Sequence, residues 1–386
     1  MDMELTPQQK ASQAQFRAFV QAEVMPIADR YDQEERTPPD LIQKVAAQGY
    51  LGAIIPPAYG GMGLDMVSFG LLNEEVGRGC SSLRSLLTVH NMVASAILRW
   101  GNKQQQEYYL PRLARGEMIA AFGLSEPNTG SDAKSIETQA ILSDDGYRLQ
   151  GRKKWITYGQ IADLFLIFAQ YQGSVSAFLV ERQTPGLATE PITGILGTRA
   201  SMLAEVFLHD CAIARTQLLG GKGFGLASVA TSALDIGRYT VAWGCVGIAQ
   251  ACLDACLRYT SERRQFGTYL KEHQLIRQMI TDMITNTKAA RLLCLHAGYL
   301  KDQGDPRTIM ETWVAKYFAS TAATRAANDA VQIHGANGCS SDYSVQRYMR
   351  DSRVMELIEG STQIQQITIA GYGYVVSIPS SGSREL

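Results

Sequence analysis

The sequence predicts a mainly α-helical protein with a β middle segment. Three observations carry this. Up to about residue 120, apolar residues recur at helical spacing in Leu41–Ala47, Met66–Gly77, Leu83–Trp100 and Gln104–Arg115. From about 121 to 225 the pattern shortens to strand-like runs, Tyr147–Gly151, Leu164–Phe168 and Ala177–Val180. From 226 onward it is helical again, with Val246, Ala249, Cys252, Leu253, Cys256 and Leu257 on one stripe suited to a bundle. Helices, then strands, then helices lack the βαβ alternation of a doubly wound sheet. The expected division is therefore 1–120, 121–225 and 226–386.

Local signals support each element. Thr6 can cap a helix, Pro7 suits its first position, and Gln9 stands where a capping-box partner belongs. Pro56-Pro57-Ala58-Tyr59-Gly60-Gly61 reads as a loop. Gly221-Lys222-Gly223-Phe224-Gly225 has the wrong spacing for a dinucleotide fingerprint and reads as a loop entering a helix. The stretch from Ser377 to Leu386 reads as a short, polar, loose tail.

Composition excludes several classes. With 386 residues, 46% hydrophobic and 19% charged, the chain can bury a large core and is not a disordered protein. Thirty-six Lys and Arg against 37 Asp and Glu leave no basic excess for nucleic acid or an anionic membrane. No run of about 18 apolar residues reads as a membrane span. Acidic Asp2 and Glu4, with no apolar stretch in Met1 to Lys10, give no secretory signal, so a cytoplasmic protein is expected. Seven cysteines at this length make no disulfide framework. Cys245, Cys252 and Cys256 lack a nearby histidine and read as packing residues, and the five histidines show no metal spacing. No metal site is expected, and no Gly-x-Ser-x-Gly marks a hydrolase.

Four segments are harder to dismiss. Gly123–Asp132 combines turn formers with hydroxyls. Lys153–Gly159 ends a strand with an aromatic plane and a hydroxyl. Glu262–Gly267, followed by Glu272-His273-Gln274, offers arginine and glutamine to a phosphate-bearing ligand. The last segment holds Arg350-Asp351 and then Leu357–Gln363. There Glu359 follows two apolar residues, and Gly360 would end the preceding helix. Facing the negative end of a helix dipole in an apolar setting, its carboxyl pKa would rise, which suits a general base near neutrality.

Together, in this order and across nearly the whole chain, these segments resemble the acyl-CoA dehydrogenase family. The stretches 123–135 and 350–363 are similar to its two signatures, the first departing mildly at Thr129. The resemblance implies an N-terminal α-helical domain, a small β-barrel domain and a C-terminal four-helix bundle, assembled as a homotetramer. It implies FAD as cofactor and oxidation of an acyl thioester across Cα–Cβ, with an electron-transfer flavoprotein as an electron acceptor. Residue by residue, Phe122, Leu124, Ser125, Trp155 and Thr157 would hold the isoalloxazine ring. Arg263, Gln265, Phe266, His273 and Gln274 would reach the pyrophosphate and adenosine of a neighbouring subunit's FAD. Gln332, Gly335 and Ala336 would contact the same part, Ala336 replacing the usual glycine. Ser361, Thr362 and Gln363 would close over the cofactor. Ser131 resembles a contact shared by cofactor and thioester. Asp235, Arg238 and Gly360 would border the acyl thioester. Glu359 would take the α-proton while the flavin takes the β-hydride. The other base position used in the family is Gly237 here, which favours Glu359.

Two features bear on the substrate. Arg84, with Thr88 one turn on, is similar to an arginine that binds the distal carboxylate in glutaryl-CoA dehydrogenases; a salt-bridge arginine is the other reading. Facing the pocket, it would penalise a long alkyl chain. Gly371 falls where many CoA-using members carry an arginine, compatible with an acyl group on a carrier protein. Cys80–Ser85, Val241–Ile248 and Met355–Ser361 resemble the FkbI-type branch of polyketide pathways. That implies a short polar acyl group on a carrier protein, in secondary metabolism. A glutaryl-CoA-like or short-chain acyl-CoA dehydrogenase of catabolism is the alternative. A flavin-free relative and an oxygen-using one stay open at this point.

Overall fold

The computed structural model describes residues 4–377; of the tail expected from Ser377, Ser377 itself ends the last helix and the rest lies outside the described residues. The N-terminal helices are α1 (Pro7–Phe19), α2 (Ala28–Gln33), α3 (Pro39–Ala47), α4 (Met66–Gly79), α5 (Ser81–Trp100) and α6 (Lys103–Ala114). Strands β1 (Ala120–Gly123), β2 (Gln139–Ser143), β3 (Gly146–Ile156), β4 (Leu164–Tyr171), β5 (Ser174–Glu181), β6 (Leu187–Pro191), β7 (Ala204–Ala214) and β8 (Leu218–Leu219) follow. Then come α7 (Thr231–Glu262), a hairpin of β9 (Arg264–Gln265) and β10 (Thr268–Tyr269), α8 (Gln274–Asp302), α9 (Thr308–His334), α10 (Val345–Met355) and α11 (Thr362–Ser377).

The start of α1 shows how local chemistry fixes an element. The Thr6 hydroxyl accepts from the Gln9 N–H at 3.2 Å, and the Thr6 N–H donates to the Gln9 side chain at 3.0 Å. Two backbone donors at the helix start are thereby satisfied. Pro56–Gly61 is a loop holding one tight turn at Pro57–Tyr59.

The eight strands form one sheet in the order β6-β7-β3-β2-β4-β5-β8, with β1 added parallel to β4. The end strands β6 and β8 are not paired with each other, and the sheet curls into the middle β domain that the resemblance implied. Its two faces are closed differently. Leu164, Leu166 and Phe168 of β4 pack on Ile97, Leu110 and Leu113 of α5 and α6. Phe165 and Ile167 pack on Leu149, Val206 and Leu208 as the sheet curls over itself. Both faces of β4 are buried, which accounts for an unbroken apolar run instead of alternation.

Helix α7 is the axis of the molecule. Its core cluster joins residues of α1, α4, α5, α8, α9 and α10. Cys245, Cys252 and Cys256 are buried within it, as packing residues. The span 225–262 is long and apolar enough to cross a membrane by length and composition, which the sequence reading passed over. Most of its apolar window is buried inside the protein, as befits a central core helix.

Helices α4 and α7 cross closely. A Cβ on Gly77 would lie 2.8 Å from the Gly244 Cα, and one on Gly247 would lie 2.2 Å from the Glu74 carbonyl oxygen. Backbone contact of this kind leaves no flexible atom to yield. Gly247→Ala is expected to destabilise the fold by about 1–3 kcal/mol, read as a lowered Tm in thermal unfolding; an unchanged Tm would refute the tight crossing.

Candidate functional site

The site is built where the turn after α10 meets the start of α7. Helix α10 stops at Met355, and Glu359 and Gly360 both have left-handed backbones, φ 56° and 93°. Gly360 therefore does not cap the helix directly, as the sequence reading expected. The glutamate sits in a tight turn four residues on, outside the axial field of the helix. Glycine tolerates φ 93° freely, whereas a left-handed glutamate stores strain that its surroundings must hold.

Those surroundings are donors to two consecutive carbonyls. Arg238 Nε donates to the Glu359 carbonyl at 3.1 Å. Gln365 Nε2 donates to the Glu359 and Gly360 carbonyls at 3.2 and 3.1 Å. Lys316 Nζ donates to the Gly360 carbonyl at 2.8 Å. The amide N–H groups of Glu359 and Gly360 find no acceptor among the described residues. They are left free to meet a ligand oxygen.

The Glu359 carboxylate lies against Gly237. A Cβ on Gly237 would stand 2.2 Å from Oε2 and 2.9 Å from Met92 Sδ. Oε2 is buried without a hydrogen-bond partner. Burial pushes the Glu359 carboxyl up to about 7, against the opposing pull of Arg238, Lys316 and Arg84. An ionisable group with one free oxygen and a midpoint near neutrality is what proton abstraction needs.

Arg84 is fully buried on α5. It donates to Thr88 Oγ1 at 2.7 Å and Ser85 Oγ at 3.1 Å, and Thr88 also bonds Thr240 at 2.9 Å. Its Cδ lies 2.4 Å from where a Gly244 Cβ would stand. No carboxylate of the described residues is within ion-pair distance, and Nε has no partner. The salt-bridge reading of Arg84 does not hold. Arg238 rests on the Trp313 ring, 3.9 Å from its centre. The Asp235 carboxylate is instead engaged by Lys301.

A second group of residues sits at the strand ends. Phe122 lies 5.1 Å from the Phe168 ring, Leu124 is buried, and the Ser125 carbonyl accepts the Lys154 N–H at 2.9 Å. Beneath that loop, buried Glu126 takes an ion pair from Lys153 at 2.6 Å and the Thr138 N–H at 3.0 Å. Trp155 is 52% exposed at φ 64°, next to half-buried Thr157. Tyr158 donates to the Ser82 carbonyl of α5 at 3.2 Å, which ties this strand end to the helix carrying Arg84. Ser131 is exposed on the outer part of the loop. Thr362 starts α11, the hydroxyl of Ser361 just before it accepting the Ile364 N–H at 3.4 Å, and Gln363 is exposed beside them.

A third group is far away. Arg263, Gln265 and Gln274 are exposed, and Phe266 is 96% exposed. Exposed Gln332, Gly335 and Ala336 share this end, because the intervening His334 stacks on Tyr259 at 4.2 Å. Along α7 this end is about 38 Å from Gly237, at 1.5 Å per residue. One chain therefore does not bring the third group to the first two.

The residues fit a flavin dinucleotide. Trp155 and Phe266 present rings to solvent, which an aromatic ligand would cover. His273 Nε2 is buried and unpartnered, and the two turn amides point free. A buried carboxyl with a midpoint near neutrality and exposed aromatic planes are the groups a flavoprotein dehydrogenase needs. The comparisons make this specific. The acyl-CoA dehydrogenase N-terminal, middle and C-terminal domain models match residues 6–117, 121–211 and 221–372. A probable acyl-CoA dehydrogenase, YngJ of Bacillus subtilis, is 38% identical over 377 residues, covering 96% of this chain and 99% of that one. The short-chain specific acyl-CoA dehydrogenase of rat mitochondria is 37% identical, covering 92% and 87%. Among solved structures, the electron transferring flavoprotein structure of Acidaminococcus fermentans aligns with TM-score 0.94 at 35% identity, covering 96% and 99%. A glutaryl-coenzyme A dehydrogenase in complex with glutaryl-CoA aligns at 0.93 and 34%, covering 97% of each chain. FkbI, of methoxymalonyl extender-unit biosynthesis, aligns at 0.86 and 32%, covering 95% and 99%. The chain belongs to the acyl-CoA dehydrogenase family and is an FAD-dependent oxidoreductase.

Sequence reasoning missed Lys316, Gln365 and Trp313. Lys316 carried a signal: it lies on the stripe Thr312, Ala315, Lys316, Ala319, Ser320 and Ala323, all buried. A lysine on a buried stripe calls for a partner. Gly237→Ala is expected to keep the fold and abolish most thioester oxidation, by displacing the carboxylate. Retained activity in a steady-state assay would contradict the placement of Glu359.

Proposed function

We propose that this chain oxidises short acyl-CoA thioesters whose far end is polar or anionic. One observation carries the reading: Glu359 Oε2 is buried and unpartnered, and among the cations whose charge acts on it is Arg84, buried on α5, which no carboxylate of the described residues contacts. An uncompensated buried cation is unfavourable until an anion or strong acceptor meets it. A short dicarboxylic or hydroxylated acyl chain supplies one; a long alkyl chain does not.

The free amides of Glu359 and Gly360 can hold the thioester carbonyl oxygen, where negative charge develops as the α-proton leaves. Glu359 accepts that proton on Oε2. Gly237 keeps the space beside the carboxylate clear, and Met92 helps exclude water. FAD, when bound, supplies the acceptor for the β-hydride. Phe122, Leu124, Ser125, Trp155 and Thr157 would hold its ring, and Ser131 would meet both cofactor and thioester. The distance along α7 supports the expectation that Arg263, Gln265, Phe266, His273 and Gln274 serve the cofactor of another subunit, as in a homotetramer. An electron-transfer flavoprotein is the proposed electron acceptor. Free cysteines support a reducing, cytoplasmic setting.

Delivery on a carrier protein is a second reading. It is favoured by Gly371, whose surroundings are open where an arginine would meet a CoA nucleotide, and by the likeness to FkbI. The relatives in sequence favour CoA esters.

Anaerobic bleaching of the bound flavin tests both. Bleaching by free CoA esters is expected, faster with glutaryl-CoA than with butyryl-CoA; bleaching only by carrier-bound groups would reverse the choice. Arg84→Ala is expected to slow glutaryl-type thioesters at least about tenfold, the value of a charged hydrogen bond, and to spare butyryl chains. Equal loss on both would make Arg84 structural. Because the carboxylate must be ionised to accept a proton, the wild-type rate is expected to fall with acid through a midpoint near 7. Glu359→Gln is expected to keep FAD and lose at least about 100-fold in rate.

A further inference from the structure

We infer that Lys316 is a positioning residue for the base: its ammonium clamps the Glu359–Gly360 turn and adds a titratable charge that favours the ionised form of Glu359. This deepens the assignment of Glu359 as base and rests on it.

The geometry comes first. Lys316 is fully buried in α9. Its one hydrogen bond runs to the Gly360 carbonyl at 2.8 Å, and no carboxylate of the described residues forms an ion pair with it. A lysine that desolvated is unstable as a cation unless negative charge lies near. The nearby acids are Glu359 and Glu356, on the turn that Lys316 grips. The same bond therefore does two things. It holds a left-handed pair of residues in place, and it sets a positive charge behind the carboxylate.

Three cations face Glu359: Arg84 from α5, Arg238 from α7 and Lys316 from α9. Cys245 of α7 also faces Lys316, with its thiol pushed up to about 12 by burial, so it stays neutral. Arg84 is committed to Thr88 and Ser85, and Arg238 to the Trp313 face. Arginine stays charged throughout the working range. Lysine does not: burial brings Lys316 down to about 8. The charge behind the base is thus present at neutral pH and fades in alkali, just above the range in which Glu359 ionises.

The two roles separate by substitution. Lys316→Gln removes the charge. Lys316→Arg keeps charge and donor. Gln365→Leu removes a clamp on the same two carbonyls and no charge. The readout is an infrared titration of the Glu359 carboxyl band in the FAD-loaded protein, assigned by its absence in Glu359→Gln, alongside the pH profile of flavin bleaching. Lys316→Gln is expected to raise the Glu359 midpoint by about one pH unit, with the rate at pH 7 falling several-fold and recovering toward pH 9. Lys316→Arg is expected to keep the wild-type midpoint. Gln365→Leu is expected to lower the rate at every pH with the midpoint unmoved. An unmoved midpoint in Lys316→Gln overturns the inference. Where that variant does not fold, a moved midpoint in Lys316→Arg or Gln365→Leu overturns it, and fixed midpoints in both support it. The band reports ionisation whether or not the protein turns over. A turnover-competent Glu359→Gln would therefore sink the base assignment without touching the charge coupling.

Discussion

Everything at the site depends on the close approach of one carboxylate to one glycine. Glu359 Oε2 occupies the space that any side chain at position 237 would fill. The approach brings the turn after α10 against α7, two segments 122 residues apart in sequence. It leaves the carboxylate buried and unpartnered. Such a group persists only when its backbone is over-determined, and four donor bonds from three side chains onto two carbonyls do that here.

Helix α7 is what makes this possible. Its glycines at 237, 244 and 247 are three different close approaches: a carboxylate, the Arg84 stem and the backbone of α4. A helix with these notches gains from its neighbours the stability that glycine takes away. The same helix then runs the length of the bundle and presents Arg263 and the Phe266 hairpin at its far end. The Glu359 turn at one end and the third group of residues at the other are joined by one helix.

Much of this was legible in the sequence, for physical reasons. Helical and strand periodicities gave the three zones, since burial of one face or two leaves its mark on spacing. The strand order of the sheet was not legible, because pairing of strands distant in sequence depends on non-local geometry. The membrane-like hydropathy of α7 misleads locally for the same reason: a helix surrounded by helices is apolar all round. Glu359 was visible through its apolar neighbours and Gly360. Its left-handed turn was not, since glutamate seldom adopts φ 56°. The meeting of Arg84, Arg238 and Lys316 around it was illegible, because they come from three helices. Arg84 and Arg238 entered through the family resemblance as substrate contacts, and Lys316 was not singled out.

The central claim is that Glu359 abstracts the α-proton. Hydrogen–deuterium exchange at the α-carbon of a short acyl-CoA, followed by NMR in heavy water with the FAD-loaded protein, measures that step directly. The account predicts exchange in the wild type and none above background in Glu359→Gln. Exchange persisting in that variant would contradict it.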